Sequence, residues 1–82
     1  MKFLDIGFRN YVNTDKIISI TGIESAPLKR NRQNADNNNR FVDATMGRKT
    51  KSLIFTNTHI IGSGVEPETL IKRLEKLKKS DK

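Results

Sequence analysis

The pentapeptide Gly47-Arg48-Lys49-Thr50-Lys51 concentrates groups suited to binding phosphate. An arginine presents a planar fork of N–H donors that matches two phosphate oxygens, and a lysine presents a mobile point charge. Gly47 admits a left-handed backbone or the close approach of a ligand. The Thr50 hydroxyl and the backbone N–H groups beside it are further phosphate donors. The same residues also make an ordinary solvated hairpin tip, and their types alone weigh equally for either role. Lys16, in a separate turn, is expected to extend the same face. Arg30 and Arg32, on a helix, are expected to widen the basic surface or to meet a neighbouring subunit.

Other chemistry is hard to assemble from this chain. Its carboxylates, from Asp5, Asp15 and Glu24 to Glu66, Glu68 and Glu75, show no metal-ligand or hydrolase spacing. Asp43 precedes the basic run, which favours a structural ion pair with Arg48 or Lys49 over acid–base work. His59, the single histidine, adjoins a turn and has no acid partner in the sequence around it, so a solvated turn residue is expected rather than a general base. Gly62-Ser63-Gly64 lacks the lysine and the length of a phosphate-cradling loop and reads as a flexible join. There is no cysteine, which excludes disulfides and thiolate metal sites. No catalytic residue, metal, cofactor or small-molecule substrate is expected, and the chain does not read as an enzyme.

Charge points the same way as the loop. Sixteen Lys and Arg face nine Asp and Glu, a net +7 on 82 residues. Such a balance favours a polyanion: DNA, RNA or an acidic membrane surface. Phe3, Phe8, Tyr11, Phe41 and Phe55 fall mostly in strand patterns and are expected in the core, which leaves few exposed rings for stacking single-stranded bases. An RNA-binding or ribosome-associated module stays open as the alternative, as does a scaffold that pairs with an acidic protein. No stretch approaches the ~20 apolar residues of a membrane span, and Asp5 interrupts any signal-peptide core, so a cytoplasmic protein is expected.

Residues 1–82 are expected to form a single domain, with 78–82 a basic tail that need not be ordered. So small a core, with 34% hydrophobic residues, commonly leans on a partner subunit. Phe3-Leu4-Asp5-Ile6 reads as a strand that bends or bulges at Gly7 and continues through Tyr11-Val12. Asn13-Thr14-Asp15-Lys16 is a turn, and Ile17–Thr21 is a β-branched strand ended by Gly22. Ser25 caps a helix with Pro27 in its first turn, running to about Asp36 and stopped by Asn37-Asn38-Asn39. Phe41–Thr45, Ser52–Thr56 and His59–Ile61 read as a three-stranded antiparallel meander. Pro67 opens a second helix whose apolar face is Leu70, Ile71, Leu74 and Leu77. The expected class is α+β, a small antiparallel sheet with two helices.

Several short motifs, in order and correctly spaced, resemble one known family. They are Ile6-Gly7-Phe8 with Asn10, Ile18-Ser19-Ile20, Glu24-Ser25-Ala26-Pro27 followed by Lys29-Arg30, Val42-Asp43-Ala44-Thr45 with Gly47-Arg48, and Pro67-Glu68-Thr69. From Phe3 to Leu74 the chain resembles the RemA family of bacterial transcriptional regulators. The resemblance implies a double-stranded-DNA-binding protein, nucleoid-associated, that assembles into a closed homo-oligomeric ring, octameric or heptameric. It implies histone-like wrapping of DNA around that ring and activation of biofilm matrix and osmoprotection genes. Its DNA-contacting positions fall on Lys16, Arg48 and Lys49. At Lys16 and Lys49 a member of that family carries Arg, so here the charge is kept and the bidentate fork is lost. Asn31, Asn37–Asn39 and Met46 are further departures from the pattern.

Overall fold

The computed structural model describes residues 2–24 and 39–79. The helix expected over Ser25–Asp36, with Arg30 and Arg32, lies outside the described residues, as do 80–82.

The chain opens with a hairpin of β1 (Phe3–Asp5) and β2 (Tyr11–Asn13), paired antiparallel with Leu4 opposite Val12. The alternation of strand side chains puts Leu4 and Val12 into the core and leaves Phe3, Asp5 and Tyr11 outside. This corrects the expectation of one strand continuing past a bulge. Three successive residues, Gly7, Phe8 and Arg9, take positive φ (101°, 51° and 64°) and reverse the chain instead. Side chains hold the reversal. Asp5 Oδ1 accepts from Gly7 N–H at 2.9 Å, and Asn10 Nδ2 donates to the Gly7 carbonyl at 3.1 Å.

Asn13 caps a 3-10 turn, Thr14–Lys16, by accepting from Asp15 N–H. β3 (Ile17–Gly22) follows and pairs antiparallel with β5 (Ser52–Thr56). The register slips between Ile17 and Ser19, so Ile18 is the extra residue of a bulge and stands 70% exposed.

β4 (Phe41–Asp43) and β6 (Ile60–Ser63) complete a four-stranded sheet in the order β3-β5-β6-β4. The expected antiparallel meander is therefore corrected to a mixed sheet: β4 lies parallel to β6, and the return strand β5 lies beyond it. Two features account for this. The connection over residues 44–51 is long enough to pass the end of one strand, about 10 Å of sheet width. Phe41 also finds its seat on β6, where a Cβ at Gly62 would come within 2.8 Å of the Phe41 Cζ. Only a glycine lets the ring lie that close.

One sheet face carries the cross-strand row Ile20, Ile54 and Ile61. Against it pack the hairpin and α1 (Pro67–Lys79), giving a core of Leu4, Ile6, Val12, Ala44, Ile54 and Leu70. Pro67 stands at the first helical position, where its missing N–H costs nothing. Leu74 and Leu77 join the core cluster from α1, while Ile71 sits at its rim, 41% exposed. α1 is tied to the N-terminal segment at its middle and near its C-terminal end. Arg73 donates to the Asp5 carbonyl at 3.0 Å, and Lys2 Nζ donates to the Leu77 carbonyl at 3.0 Å. The Lys2 bond engages a carbonyl of the last helical turn. Lys78 and Lys79 belong to the helix.

Candidate functional site

The basic run lies on the connection that straddles the end of β6. Both of its feet are fixed there. Ala44 N–H donates to the Gly62 carbonyl at 2.9 Å, and Lys51 N–H donates to the Ser63 carbonyl at 2.8 Å. Asp43 Oδ1 starts the loop by accepting from the Thr45 N–H at 2.9 Å and from its hydroxyl at 2.6 Å. Arg48 N–H then donates to the Thr45 carbonyl at 3.0 Å, closing a turn whose central residues, Met46 and Gly47, both have positive φ. Positive φ at both central positions is the pattern of a type I′ turn. It leaves Met46, Arg48 and Lys49 exposed.

Gly62-Ser63-Gly64 is not a flexible join. Gly62 and Ser63 are buried in β6. Ser63 Oγ donates to the Ile6 carbonyl at 2.8 Å and accepts from Val65 N–H at 3.1 Å. Ser52 Oγ donates to the Val65 carbonyl at 2.8 Å. Of these two buried serines, Ser63 ties the loop's base to the hairpin and Ser52 ties it to Val65. Gly7 meets Val65 on the other side of that contact, where an added Cβ would stand 3.1 Å from Val65 Cγ2.

The result is a shallow concavity of about 640 Å³ lined by Gly7, Phe8, Arg48, Lys49, Lys51, Gly64 and Val65. The Arg48 guanidinium lies 5.2 Å above the centroid of the Phe8 ring, a cation–π arrangement. Lys51 Nζ stands 3.9 Å from Glu66 Oε1, with both side chains about half exposed, so the pair is a weak tether. Arg9 is exposed next to Phe8 on the hairpin turn. The left-handed backbone at Phe8 and Arg9 costs on the order of 1 kcal/mol at each residue.

Arg48, Lys49 and Lys51 are therefore brought together, and Lys16 is not one of their neighbours. Lys16 precedes Ile17, which pairs with Thr56 at one end of β5, whereas Lys51 precedes Ser52 at the other end. The length of β5 separates them, roughly 15 Å at ~3.4 Å per residue. Phe3, Phe8 and Tyr11, expected in the core, are 54%, 45% and 60% exposed. Phe8, Arg9 and the Ser52–Ser63 lock were not foreseen. A signal for the turn was present in Asp5-Ile6-Gly7 and Asn10, residue types that hydrogen-bond locally and tolerate positive φ. His59 is exposed, its Nδ1 2.6 Å from Thr58 Oγ1 in a turn closed by Thr56. Among the described residues no group of three His, Cys, Asp or Glu is placed to hold a metal ion, and no helix is long and apolar enough to cross a membrane.

The family model for extracellular matrix regulatory protein A-like proteins matches residues 3–74. The chain belongs to the RemA-like family. The match spans the hairpin turn, the straddling loop and the first part of α1, and so includes every residue that lines the concavity. The chain is 51% identical over 75 residues to a protein of Brevibacillus brevis whose name proposes a regulatory role, covering 90% of this chain and 87% of that one. Family relatives with the same kind of name come from distant bacteria. One from Syntrophobacter fumaroxidans is 47% identical over 75 residues, 90% of this chain and 80% of its own. One from Fervidobacterium nodosum is 45% identical over 71 residues, 85% and 76%.

Proposed function

We propose that this RemA-like protein is a non-enzymatic transcriptional regulator that binds the phosphate backbone of double-stranded DNA through the loop over residues 47–51. The observation that carries the reading is the convergence of Arg48, Lys49 and Lys51 on one open concavity whose base is locked by buried hydrogen bonds. A rigid base spares the ordering cost that a floppy basic loop would incur on binding.

One loop is a weak binder. If Lys16 joins the three loop cations, about four phosphates are neutralised per subunit, a log–log salt slope near −3.6 at ~0.9 per contact. A homo-oligomeric ring, octameric or heptameric, makes each later contact intramolecular and raises avidity by a factor on the order of 10² or more. Two exposed apolar residues support such assembly, Ile18 on its bulge at 70% and Ile71 on α1, beside a groove between β3 and α1 that the half-buried Ile17, Ile20, Leu74 and Leu77 also line. Among the described strands, β3 and β4 are the two edges of the sheet, on opposite sides of it, as head-to-tail contacts around a ring require. The far placement of Lys16 suits a second line of phosphates rather than the one at the loop. Readout is by DNA shape and bendability, with DNA bent or wrapped around the ring. The setting is the nucleoid in the cytoplasm, and the controlled genes include matrix or osmoprotection genes.

The test is a salt-titrated binding curve with duplex DNA, in competition with single-stranded RNA of equal length. Steep salt dependence with preference for the duplex is expected. A clear preference for RNA replaces this reading with that of an RNA-binding module, which the exposed rings of Phe3, Phe8 and Tyr11 would serve.

A further inference from the structure

The hairpin turn Gly7-Phe8-Arg9 is built at a cost that the fold does not require. A two-strand hairpin closes readily with glycine or asparagine at positive φ, yet this chain places a phenylalanine and an arginine there, at 51° and 64°. Neither side chain is buried. What the conformation achieves is a position: the Phe8 ring lies beneath Arg48, beside Gly64. We propose that this turn is the second half of the anion site, with Phe8 as the positioning residue for Arg48 and Arg9 as a further phosphate contact.

The physical basis is the shape of the guanidinium. Stacking on a ring occupies one flat face of Arg48 and leaves the N–H groups in its plane free for phosphate oxygens. An exposed arginine otherwise samples many rotamers and loses that freedom on binding. Phe8 removes part of the cost in advance without adding charge. Arg9 acts differently, by adding an exposed cation on the turn, next to Phe8. The two contributions are therefore separable, because the salt slope counts charges and the affinity at fixed salt also registers ordering. The proposal rests on the DNA-binding reading above, and the unmodified protein in the same titration tests that reading first.

The experiment titrates the full chain with duplex DNA over a range of salt. Phe8→Leu is expected to weaken binding about two- to fivefold per site, the size of an exposed cation–π contact, with the slope unchanged. Phe8→Tyr, which keeps the ring, restores it. In an Arg48→Ala background Phe8→Leu adds no further loss. Arg9→Gly is expected to lower the slope by about 0.9 per engaged subunit while raising the melting temperature, because glycine relieves the positive φ. A stability role alone cannot give weaker binding from a more stable protein. The proposal is overturned if Phe8→Leu binds like the unmodified chain, if its effect persists without Arg48, or if Arg9→Gly leaves the slope unchanged. Absence of any salt-dependent binding by the unmodified chain removes the DNA reading and this proposal together.

Discussion

Ser63 and Ile6, 57 positions apart, are joined by a hydrogen bond from the Ser63 hydroxyl to the Ile6 carbonyl at 2.8 Å, within the buried interior. This bond connects the strand beneath the basic loop to the turn that carries Phe8. Ser63→Ala leaves the carbonyl unsatisfied and the Val65 N–H without its acceptor. Destabilisation of about 1–3 kcal/mol is expected, read as a lower urea midpoint at unchanged slope. A loss below a few tenths of a kcal/mol would show that the lock contributes nothing.

Gly62 tests the origin of the strand order. Gly62→Ala drives a Cβ into the Phe41 ring and is expected to cost about 1–3 kcal/mol by overpacking. Combining it with Phe41→Leu should recover part of the loss. Additive losses in the thermal melts of the double-mutant cycle would contradict the contact.

Arg48→Ala with Lys49→Ala removes two exposed cations. DNA binding is expected to disappear at moderate salt, with the slope reduced by about 1.8 per engaged subunit. Light scattering should report an unchanged mass. Retained binding at moderate salt would take the loop out of the interface.

Glu66 is the acid at the rim of the site. Glu66→Gln frees Lys51 and removes an opposing charge, so DNA binding is expected to tighten about twofold at low salt and to converge on the parent value at high salt. Weaker binding at low salt would mean that Glu66 orients Lys51 productively.

Ile18 tests the assembly surface. A charge placed on this bulge, Ile18→Asp, leaves the described core untouched and is expected to lower the solution mass toward that of a monomer. An unchanged mass would place the subunit contact elsewhere.

Local signals made much of the framework legible. The β-branched run marked Ile17–Thr21, the apolar run Leu53-Ile54-Phe55 marked the strand over Ser52–Thr56, and Pro67 marked the start of α1, because these depend on near neighbours. The placement of β4 was hidden, since it depends on a ring meeting a glycine 21 positions away. The turn at Phe8-Arg9 was hidden because it runs against the preference of both residues. Gly62-Ser63-Gly64 has the composition of a linker, and only its burial shows otherwise. The cations of the loop were visible from charge alone, but their aromatic partner was not: Phe8 is distant in sequence and sits in a pattern that reads as core.

The two feet of the straddling loop rest on adjacent carbonyls of β6, those of Gly62 and Ser63. The span between them is thus anchored to the sheet at both ends, with one tight turn inside it. Closure entropy grows slowly with span, by about 0.6 kcal/mol for each doubling. Residues can therefore be inserted between Arg48 and Thr50, beyond the Thr45–Arg48 turn, at small cost to the rest of the fold. The reach of the loop, and with it the depth of groove it can probe, is a property that can change from one family member to another while the architecture stays the same.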